Sequence, residues 1–266
     1  MLQPVQAARA VAQGMVVAIA DFKAFYTWRT WLGAWLVRIV CQVAFYSMIG
    51  HMVGDSDYVV FVIIGAAMMA CVAETLMTSA SSTWDRTTAG TLPLLVGSPV
   101  EPGFFYFGRS VMWPLSATVT TSVAILTLSF FFDLSWTPVQ IVLLLLLVLL
   151  ASLSTYCFAL VVGSFAMLYP GARNVMSAVV TVWVSCFCGT VVPVDFWPPA
   201  VQWAAQTIPM THGLEAVRGL EGGAPAAEVT VHTARTLLSG AAWFLLSLLL
   251  FRRNFSAARR GNALVG

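Results

Sequence analysis

Two charged residues interrupt long apolar runs, and their side chains are the first candidates for chemistry. Arg38 lies in the run that begins near residue 31, and Glu74 lies in the run that begins near residue 58. If both runs are membrane helices, Arg38 lies about 10 Å inside the first, and Glu74 about 15 Å from the end of the second. A charge at such depth is costly unless it is paired or hydrated. We therefore predict an intramembrane Arg38–Glu74 ion pair; the alternative is that one of them faces a polar path and meets a charged ligand.

The other reactive side chains form no recognisable catalytic or metal-binding motif. All five cysteines lie in apolar runs without C-x-x-C spacing, so we interpret them as small packing residues. The histidines lack the H-E-x-x-H spacing, and no G-x-S-x-G elbow occurs, so a membrane-embedded hydrolase or acyltransferase is the weaker alternative. We predict no catalytic residue and no metal site. The residues considered are Cys41, Cys71, Cys157, Cys186, Cys188, His51, His212 and His232.

A phosphate-binding loop of the G-x-x-x-x-G-K-[ST] type is also absent from the sequence. That loop needs a lysine to reach the terminal phosphates, and the single lysine, Lys23, has no glycine-rich approach. The sequence therefore predicts that this chain holds no ATP in that manner and has no cofactor of its own. Any ATP-driven process would need a separate ATPase polypeptide.

The composition indicates the elements that carry these residues. The chain is 59% hydrophobic and 9% charged, with a mean hydropathy of +0.87, which leaves too little polar surface for a soluble globule. Continuous apolar runs, such as the one from Ile141, are unlike the alternating strands of a membrane barrel. We predict an all-α integral membrane protein with one domain, residues 1–266, and six transmembrane helices. The predicted spans are 31–53, 58–82, 104–132, 139–168, 174–192 and 231–251.

Residues 1–30 are predicted to form an amphipathic helix at the membrane surface. Charged residues such as Arg9 and Asp21 interrupt them, which is unlike a cleaved signal peptide. Apolar residues between Pro4 and Phe25 follow helical spacing, which suits a segment lying at the interface. A frayed tail is the alternative. The apolar positions are Val5, Ala8, Val11, Ala12, Met15, Val16, Ile19 and Phe22.

The distribution of basic residues predicts the orientation. Six crossings place both termini on one side, and most of the 13 lysines and arginines fall on that side. Only Arg218 and Arg235 fall on the opposite side, so the positive-inside rule predicts cytoplasmic termini. The residues on the cytoplasmic side are Arg9, Lys23, Arg29, Arg86, Arg109, Arg173, Arg252, Arg253, Arg259 and Arg260.

The stretch SSTWDRTTAGTLPLLVGSPV, residues 81–100, is the loop between the second and third spans. Ser82 or Thr83 can cap a short helix, Gly90 can end it, Thr91 can cap a second turn and Pro99 can stop that turn. A short helix at the membrane surface would serve as a docking element, and an ordinary polar connector is the alternative. In a docking element, Asp85 and Arg86 would pair with a partner's charges, and Leu92, Leu94 and Leu95 would fill a groove.

A second unusual segment, residues 189–220, follows the fifth span. Pro198 and Pro199 suit the start of a short helix that contains Trp203, and Pro209 prevents its continuation. Helices that cross only half of a membrane are tolerated where protein covers their free ends. The alternative is an outer loop with a tryptophan-rich interfacial helix.

Both segments carry a family resemblance. WDRTTAGTLPLLVGSPV resembles the cytoplasmic segment of ABC-2 export permeases, although Thr87 and Pro93 stand where that family often has Glu. Residues 189–220 resemble the family's extracellular segment. The matching residues of the first segment are Asp85, Arg86, Gly90, Thr91, Leu92, Leu94, Leu95, Ser98 and Pro99. Those of the second are Gly189, Pro193, Pro198, Pro199, Ile208, Pro209, Met210, Thr211, Glu215, Ala216 and Arg218.

The resemblance implies a transport role. Two such chains, identical or related, would enclose a path through a bacterial plasma membrane, and two ATPase subunits that bind ATP and Mg would dock on residues 84–100. Short re-entrant helices would occupy residues 193–222. The implied cargo is a hydrophobic or amphipathic compound moved outward, as in drug efflux and antibiotic resistance. Expected partners also include membrane lipids but no nucleic acid.

Within that resemblance, export of a lipid-linked saccharide or glycolipid is the alternative function, and a passive channel is a weaker one. The chain itself is expected not to be an enzyme. The implied coupling residues are Trp84, Asp85, Arg86, Gly90, Thr91, Leu92, Leu94, Leu95 and Pro99.

Overall fold

The protein is described by a computed structural model that covers residues 4–52, 56–132 and 134–260. Within these ranges all regular secondary structure is helical, which confirms the all-α class. Residues 1–3 of the predicted interfacial segment and residue 53 of the predicted first span lie outside the described residues. In chain order the helices are α1 (Pro4–Phe25), α2 (Trp28–Met52), α3 (Ser56–Thr75), α4 (Thr78–Thr87), α5 (Leu92–Gly97), α6 (Pro102–Arg109), α7 (Met112–Phe131), α8 (Pro138–Leu168), α9 (Arg173–Phe187), α10 (Pro199–Gln206), α11 (Pro209–Glu221) and α12 (Ala226–Arg259).

Five segments among the described residues are long and apolar enough to cross a membrane. They match five of the six predicted spans, with ends that extend further than the hydropathy pattern indicated. The segment predicted as the fifth span, residues 174–192, instead forms the 15-residue α9. The five are Trp28–Met52, Tyr58–Thr87, Pro102–Phe131, Pro138–Leu168 and Ala226–Arg259.

Local sequence signals account for where the longest spans begin. Thr137 and Gln140 form a capping box around Pro138, so backbone N–H groups at the start of α8 are satisfied. Pro225 immediately precedes α12, where its fixed φ suits a helix start. These signals give both long apolar helices a defined first turn.

Contacts between the long helices show in which direction each one runs. Trp35 meets Glu74 and Thr121 meets Ala67, so α2 and α7 run opposite to α3. The α8 and α12 helices run parallel, because Ser154 lies against Gly240 and the Ser164 carbonyl accepts a hydrogen bond from Asn254. The chain must therefore return along the bundle between α8 and α12.

The short α9 makes that return. Arg173, at its start, donates to Thr83, and Thr190, just beyond its end, lies against Gly65. Thr83 and Gly65 are separated by 18 residues along α3 and α4, or about 27 Å of helix rise. The α9 segment with the residues after it thus covers nearly the depth of a bilayer core, although the helix itself has only 15 residues.

A helical hairpin follows α9. The α10 helix leads to Thr207, whose carbonyl oxygen accepts hydrogen bonds from Ser239 and Trp243 near the middle of α12. The α11 helix then returns toward the start of α8, where Gln140 donates to the Leu220 carbonyl. We call the end of the molecule where α11 finishes and α8 begins the hairpin end. The opposite end, where α4 and α8 finish, is the turn end.

The α1 helix lies against α6 at the turn end and spans the range that its apolar spacing predicted. Its protein-facing side consists of small residues. A Cβ atom at Gly14 would lie 2.3 Å from the Phe105 carbonyl oxygen, and one at Gly108 would lie 2.1 Å from the Val11 carbonyl oxygen. Only glycine permits such an approach of two backbones. Much of the predicted apolar face remains exposed, including Val5, Met15, Val16 and Ile19.

Candidate functional site

The loop between α4 and α6 presents a protruding turn, residues 87–99, which we call the docking turn. Gly90 lies between the end of α4 and the start of α5. Its φ of 63° is a left-handed conformation, which glycine adopts without steric cost. Leu94 is 75% exposed. The other exposed residues of the docking turn are Thr87, Thr88, Ala89, Gly90, Pro93, Gly97 and Pro99.

The charges that were predicted to face a partner instead hold this turn to its own chain. Asp85 is buried and lies 3.4 Å from Arg109, which also forms a 2.6 Å ion pair with Asp21 of α1. Arg86 donates to the carbonyl oxygens of Met167 and Leu168 at the end of α8. Helix carbonyls at a C-terminus attract a cation, which explains this placement. The prediction that Asp85 and Arg86 present their charges outward is therefore corrected.

The hydrophobic residues of the turn divide between core and surface. Leu92 is buried in a cluster with Phe105, Tyr106 and Phe251, and Leu95 packs at its edge. Trp84 packs edge-on against Phe25 of α1, with 5.3 Å between the ring centroids. Of the three leucines predicted to fill a partner's groove, only Leu94 is exposed, because Leu92 is needed to fasten α5 to α6 and α12.

The end of α12 binds the C-terminal part of the docking turn. Arg259 donates from Nε to the Val96 carbonyl oxygen at 2.9 Å and from Nη2 to that of Ser98 at 2.7 Å. Arg252, about two turns earlier in α12, pairs with Glu101. Thr91 precedes α5 as predicted, but its side chain makes no capping hydrogen bond. Arg259 thus satisfies carbonyl groups at the end of α5, a role that neighbouring sequence could not indicate.

Glu74 and Arg38 are connected indirectly, which revises the predicted ion pair. The Glu74 carboxylate is buried and accepts hydrogen bonds from Trp35 Nε1 at 2.7 Å, from Ser116 and from Thr120. The Arg38 guanidinium lies over the Trp35 ring, 4.4 Å from its centroid. Three neutral donors meet the carboxylate because the π-helical segment Trp31–Leu36 and α7 both approach α3 there.

The proline-bounded segment after α9 folds as its sequence predicts. Pro199 begins α10, and Pro209 begins α11 directly after it, while Pro193 and Pro198 lie in the irregular connection. Arg218 of α11 donates to the carbonyl oxygens of Gly189 at 2.7 Å and Phe61 at 2.9 Å. Its guanidinium also covers the Phe61 ring. Arg218 therefore donates hydrogen bonds to one carbonyl just beyond the end of α9 and to another within α3.

Glu215, another residue of the predicted motif, lies beside two histidines. Its Oε2 atom is 3.3 Å from His212 Nδ1 and 2.9 Å from His232 Nδ1. Burial raises the pKa of the Glu215 carboxyl, but the histidines and Arg235 outweigh it and lower that pKa below its usual value. The sequence does not indicate this group, because His232 belongs to α12 whereas His212 and Glu215 belong to α11.

A cavity of about 200 Å³ opens between α1, α4 and the start of α7 at the turn end. Five of its 13 lining residues are aromatic and three are charged. This volume is below the 300–1,000 Å³ of complete drug-binding sites, so it fits only part of such a molecule. The lining includes Asp21, Phe22, Phe25, Tyr26, Trp84, Arg109, Trp113 and Arg173.

These features define a multi-pass helical membrane protein with a braced docking turn at one end. The sequence profile of ABC-2 type transporters matches residues 13–221, most of the chain. The chain therefore belongs to the ABC-2 type transporter family. It is accordingly a permease component of an ABC transporter, and the family implies an ATPase partner and dimeric assembly in general. A search of curated proteins gave no match.

Proposed function

We propose that this chain is the permease of an ABC exporter that moves hydrophobic or amphipathic compounds out of the cytoplasm or inner leaflet. A separate ATPase would dock on the docking turn, with two ATPase subunits and two permeases, identical or related, in the complex. The observation that carries this proposal is the docking turn itself. It exposes Leu94, while Asp85 and Arg86 just before it bind α6 and α8, and Arg259 of α12 binds two of its carbonyl groups.

Such bracing suits the transmission of force. A partner that displaces the docking turn would pull on Asp85 and Arg86, and through them on α6 and α8. Because packed helices move as discrete bodies, the displacement would tilt spans instead of bending the loop alone. The docking turn would therefore convert ATPase motion into rearrangement of the transport path.

A six-span topology with both termini cytoplasmic accompanies this proposal. The alternating helix directions and the depth covered by α9 support a sixth crossing, completed by the irregular residues after it. Arg86, Arg109, Arg173, Arg252 and Arg259 all lie at the turn end, which supports a cytoplasmic position for that end. The hairpin of α10 and α11 would then enter the membrane from outside and return.

The aromatic cavity supports an amphipathic cargo. It lies between the proposed interfacial helix α1 and the spans, where a molecule dissolved in the inner leaflet would first meet the protein. A flat apolar group would stack on Trp84 or Trp113, while the rest of the molecule stayed in lipid. Export of a lipid-linked saccharide is the alternative, in which the lipid chain and not the saccharide would use this cavity.

The test is to co-express the chain with candidate ABC ATPase subunits of its genome and to measure complex recovery and cargo-stimulated ATP hydrolysis in lipid. Leu94→Asp should weaken ATPase binding about 30-fold, as expected for loss of an interface anchor of about 2 kcal/mol. Phe196→Asp is the matched control, because Phe196 is 74% exposed, like Leu94, but lies between α9 and α10. It should leave the complex intact.

Recovery of an undiminished complex with Leu94→Asp would refute docking at this turn. Direction is tested separately in everted vesicles, where an exporter accumulates a fluorescent amphipathic dye in the lumen when ATP is added. Transport by the isolated chain without any ATPase would instead establish a passive channel. Accumulation of a glycolipid but no dye would favour the alternative cargo.

A further inference from the structure

His212, Glu215 and His232 meet at the hairpin end in an arrangement that the transport role does not use. His212 and Glu215 are three residues apart on α11 and so share one face, and His232 faces them from α12. One ligand atom from each residue lies within 4.8 Å of the other two. The Nδ1 atom of each histidine faces the Oε2 atom of Glu215.

A backbone contact determines the form of His212. Its Nε2 atom lies 3.1 Å from the carbonyl oxygen of Gln206. A carbonyl can only accept, so Nε2 carries a proton and donates it. In the neutral ring, Nδ1 is then an acceptor whose lone pair faces Glu215. A histidine that donates one ring N–H to a carbonyl and turns its other nitrogen toward the metal is typical of metal sites.

His232 adds a second nitrogen without a hydrogen-bonding partner. Its Nδ1 atom is 2.9 Å from Glu215 Oε2, yet it forms no hydrogen bond of acceptable geometry with any described residue. Acceptor atoms that converge repel each other unless a proton or a cation lies among them. The close approach therefore calls for a positive charge within the group.

We propose that His212, Glu215 and His232 form a binding site for a divalent metal ion of the zinc type. Two imidazoles and one carboxylate are a ligand set that Zn²⁺ accepts, and three protein ligands leave a position for water. With bonds of about 2.0–2.1 Å, tetrahedral ligands are about 3.3 Å apart, close to the His212–Glu215 separation of 3.3 Å. The partial exposure of Glu215 gives the ion a route from solvent.

Such an ion would join α11 to α12. The hairpin is already held near the middle of α12 through Thr207, and the metal would add a second attachment near the start of that helix. Metal binding would thus stabilise the hairpin against α12. The proposal does not depend on the identity or direction of any transported compound.

The test is zinc titration of the purified full-length chain in detergent, prepared with an affinity tag that contains no histidine. After removal of metals by chelation, competition with a chromogenic chelator should show one Zn²⁺ per chain. Cobalt substitution should give the visible absorption of a four- or five-coordinate site. Both readouts are independent of transport and of any ATPase.

Variants assign the ligands. Loss of a residue that merely supports a ligand costs 10–100-fold in metal affinity, so Glu215→Gln and His232→Ala should each cost at least about tenfold. Glu215→Gln keeps the side-chain shape, which preserves the test if His232→Ala folds poorly. His51→Ala is the control, because His51 is exposed and lies on α2. The zinc affinity of this variant should match that of the wild type. Arg235→Gln should tighten binding, because the charge of Arg235 acts on Glu215.

Three results would overturn the site. They are an absence of stoichiometric zinc, equal zinc affinity in wild type and Glu215→Gln, and stabilisation of the chain by acid but not by zinc. The last result would identify a shared proton as the charge that holds the three residues together.

Discussion

The two ends of the molecule hold irregular backbone in different ways. At the turn end, Asp21, Arg109 and Asp85 form a buried ionic group that joins α1, α4 and α6. At the hairpin end, Arg218 donates to neutral backbone carbonyls, and Ser239 and Trp243 both donate to the Thr207 carbonyl. The turn end thus adds an ionic group from three helices to the backbone contacts made there by Arg86 and Arg259. The hairpin end combines backbone contacts with the group of Glu215 and two histidines, which joins only α11 and α12.

The difference bears on what each end can do. An ionic group shared by three helices restricts their relative positions, because moving α4 or α6 leaves Asp85 buried without its cation. Hydrogen bonds to neutral carbonyls cost less to break and can be replaced by water. The turn end is therefore suited to move as one body, whereas the hairpin end can rearrange locally.

The largest effect is expected from Arg109→Leu. The change leaves Asp85 buried without its cation, which should lower the free energy of unfolding by about 3–5 kcal/mol. Thermal unfolding in detergent measures this loss. Asp85→Leu/Arg109→Leu should recover most of it, because Asp21 is one-third exposed and can be hydrated. A double variant as unstable as the single would contradict the ionic account of the turn end.

A smaller effect is expected from Arg218→Leu. It removes the donor of the Gly189 carbonyl and the contact with Phe61 and leaves no charge unpaired, so the loss should be about 2–3 kcal/mol, in the range of hydrogen bonds to charged groups. Arg218→Lys should recover only part, since an ammonium lacks the planar fork that reaches Gly189 and Phe61 together. The same thermal assay applies. A loss equal to that of Arg109→Leu would remove the distinction between the two ends.

The smallest effect is expected from Gly90→Ala in the docking turn. An added Cβ would meet no atom within 4 Å, so the cost is conformational and should be about 1–2 kcal/mol for the positive φ. Gly97→Ala is the matched control, since its Cβ would also meet open space but its φ is not left-handed. It should be neutral or slightly stabilising. Equal losses for both would show that the backbone of Gly90 is unimportant.

Much of the fold was predictable because it depends on local properties. Apolar length located five spans, helical spacing between Pro4 and Phe25 located α1, Pro199 located the start of α10, and Pro209 marked where α10 could not continue. The α9 helix was harder to predict. Its apolar run continues to residue 192, but the helix ends at Phe187 and irregular backbone, bound by Arg218, follows it.

The candidate site was only partly predictable. Leu94 is exposed, as a docking residue would need to be, but Asp85, Arg86 and Leu92 hold the turn in place. The charges of Asp85 and Arg86 predicted that both side chains face outward, since most charged residues lie on protein surfaces. Arg109 and the end of α8 are distant in sequence, and their approach in the fold reversed that expectation.

The sequence by itself determined the class of protein, the approximate spans, the places where prolines start helices and the family resemblance. The class, the spans and the helix starts follow from hydrocarbon thickness and backbone geometry, which act on each segment separately, whereas the resemblance rests on matched motifs. Only the tertiary structure decided that Glu74 meets Trp35, Ser116 and Thr120, and that His232 joins His212 and Glu215. Such groups depend on which helix faces come together, and those faces are chosen by packing of the whole bundle.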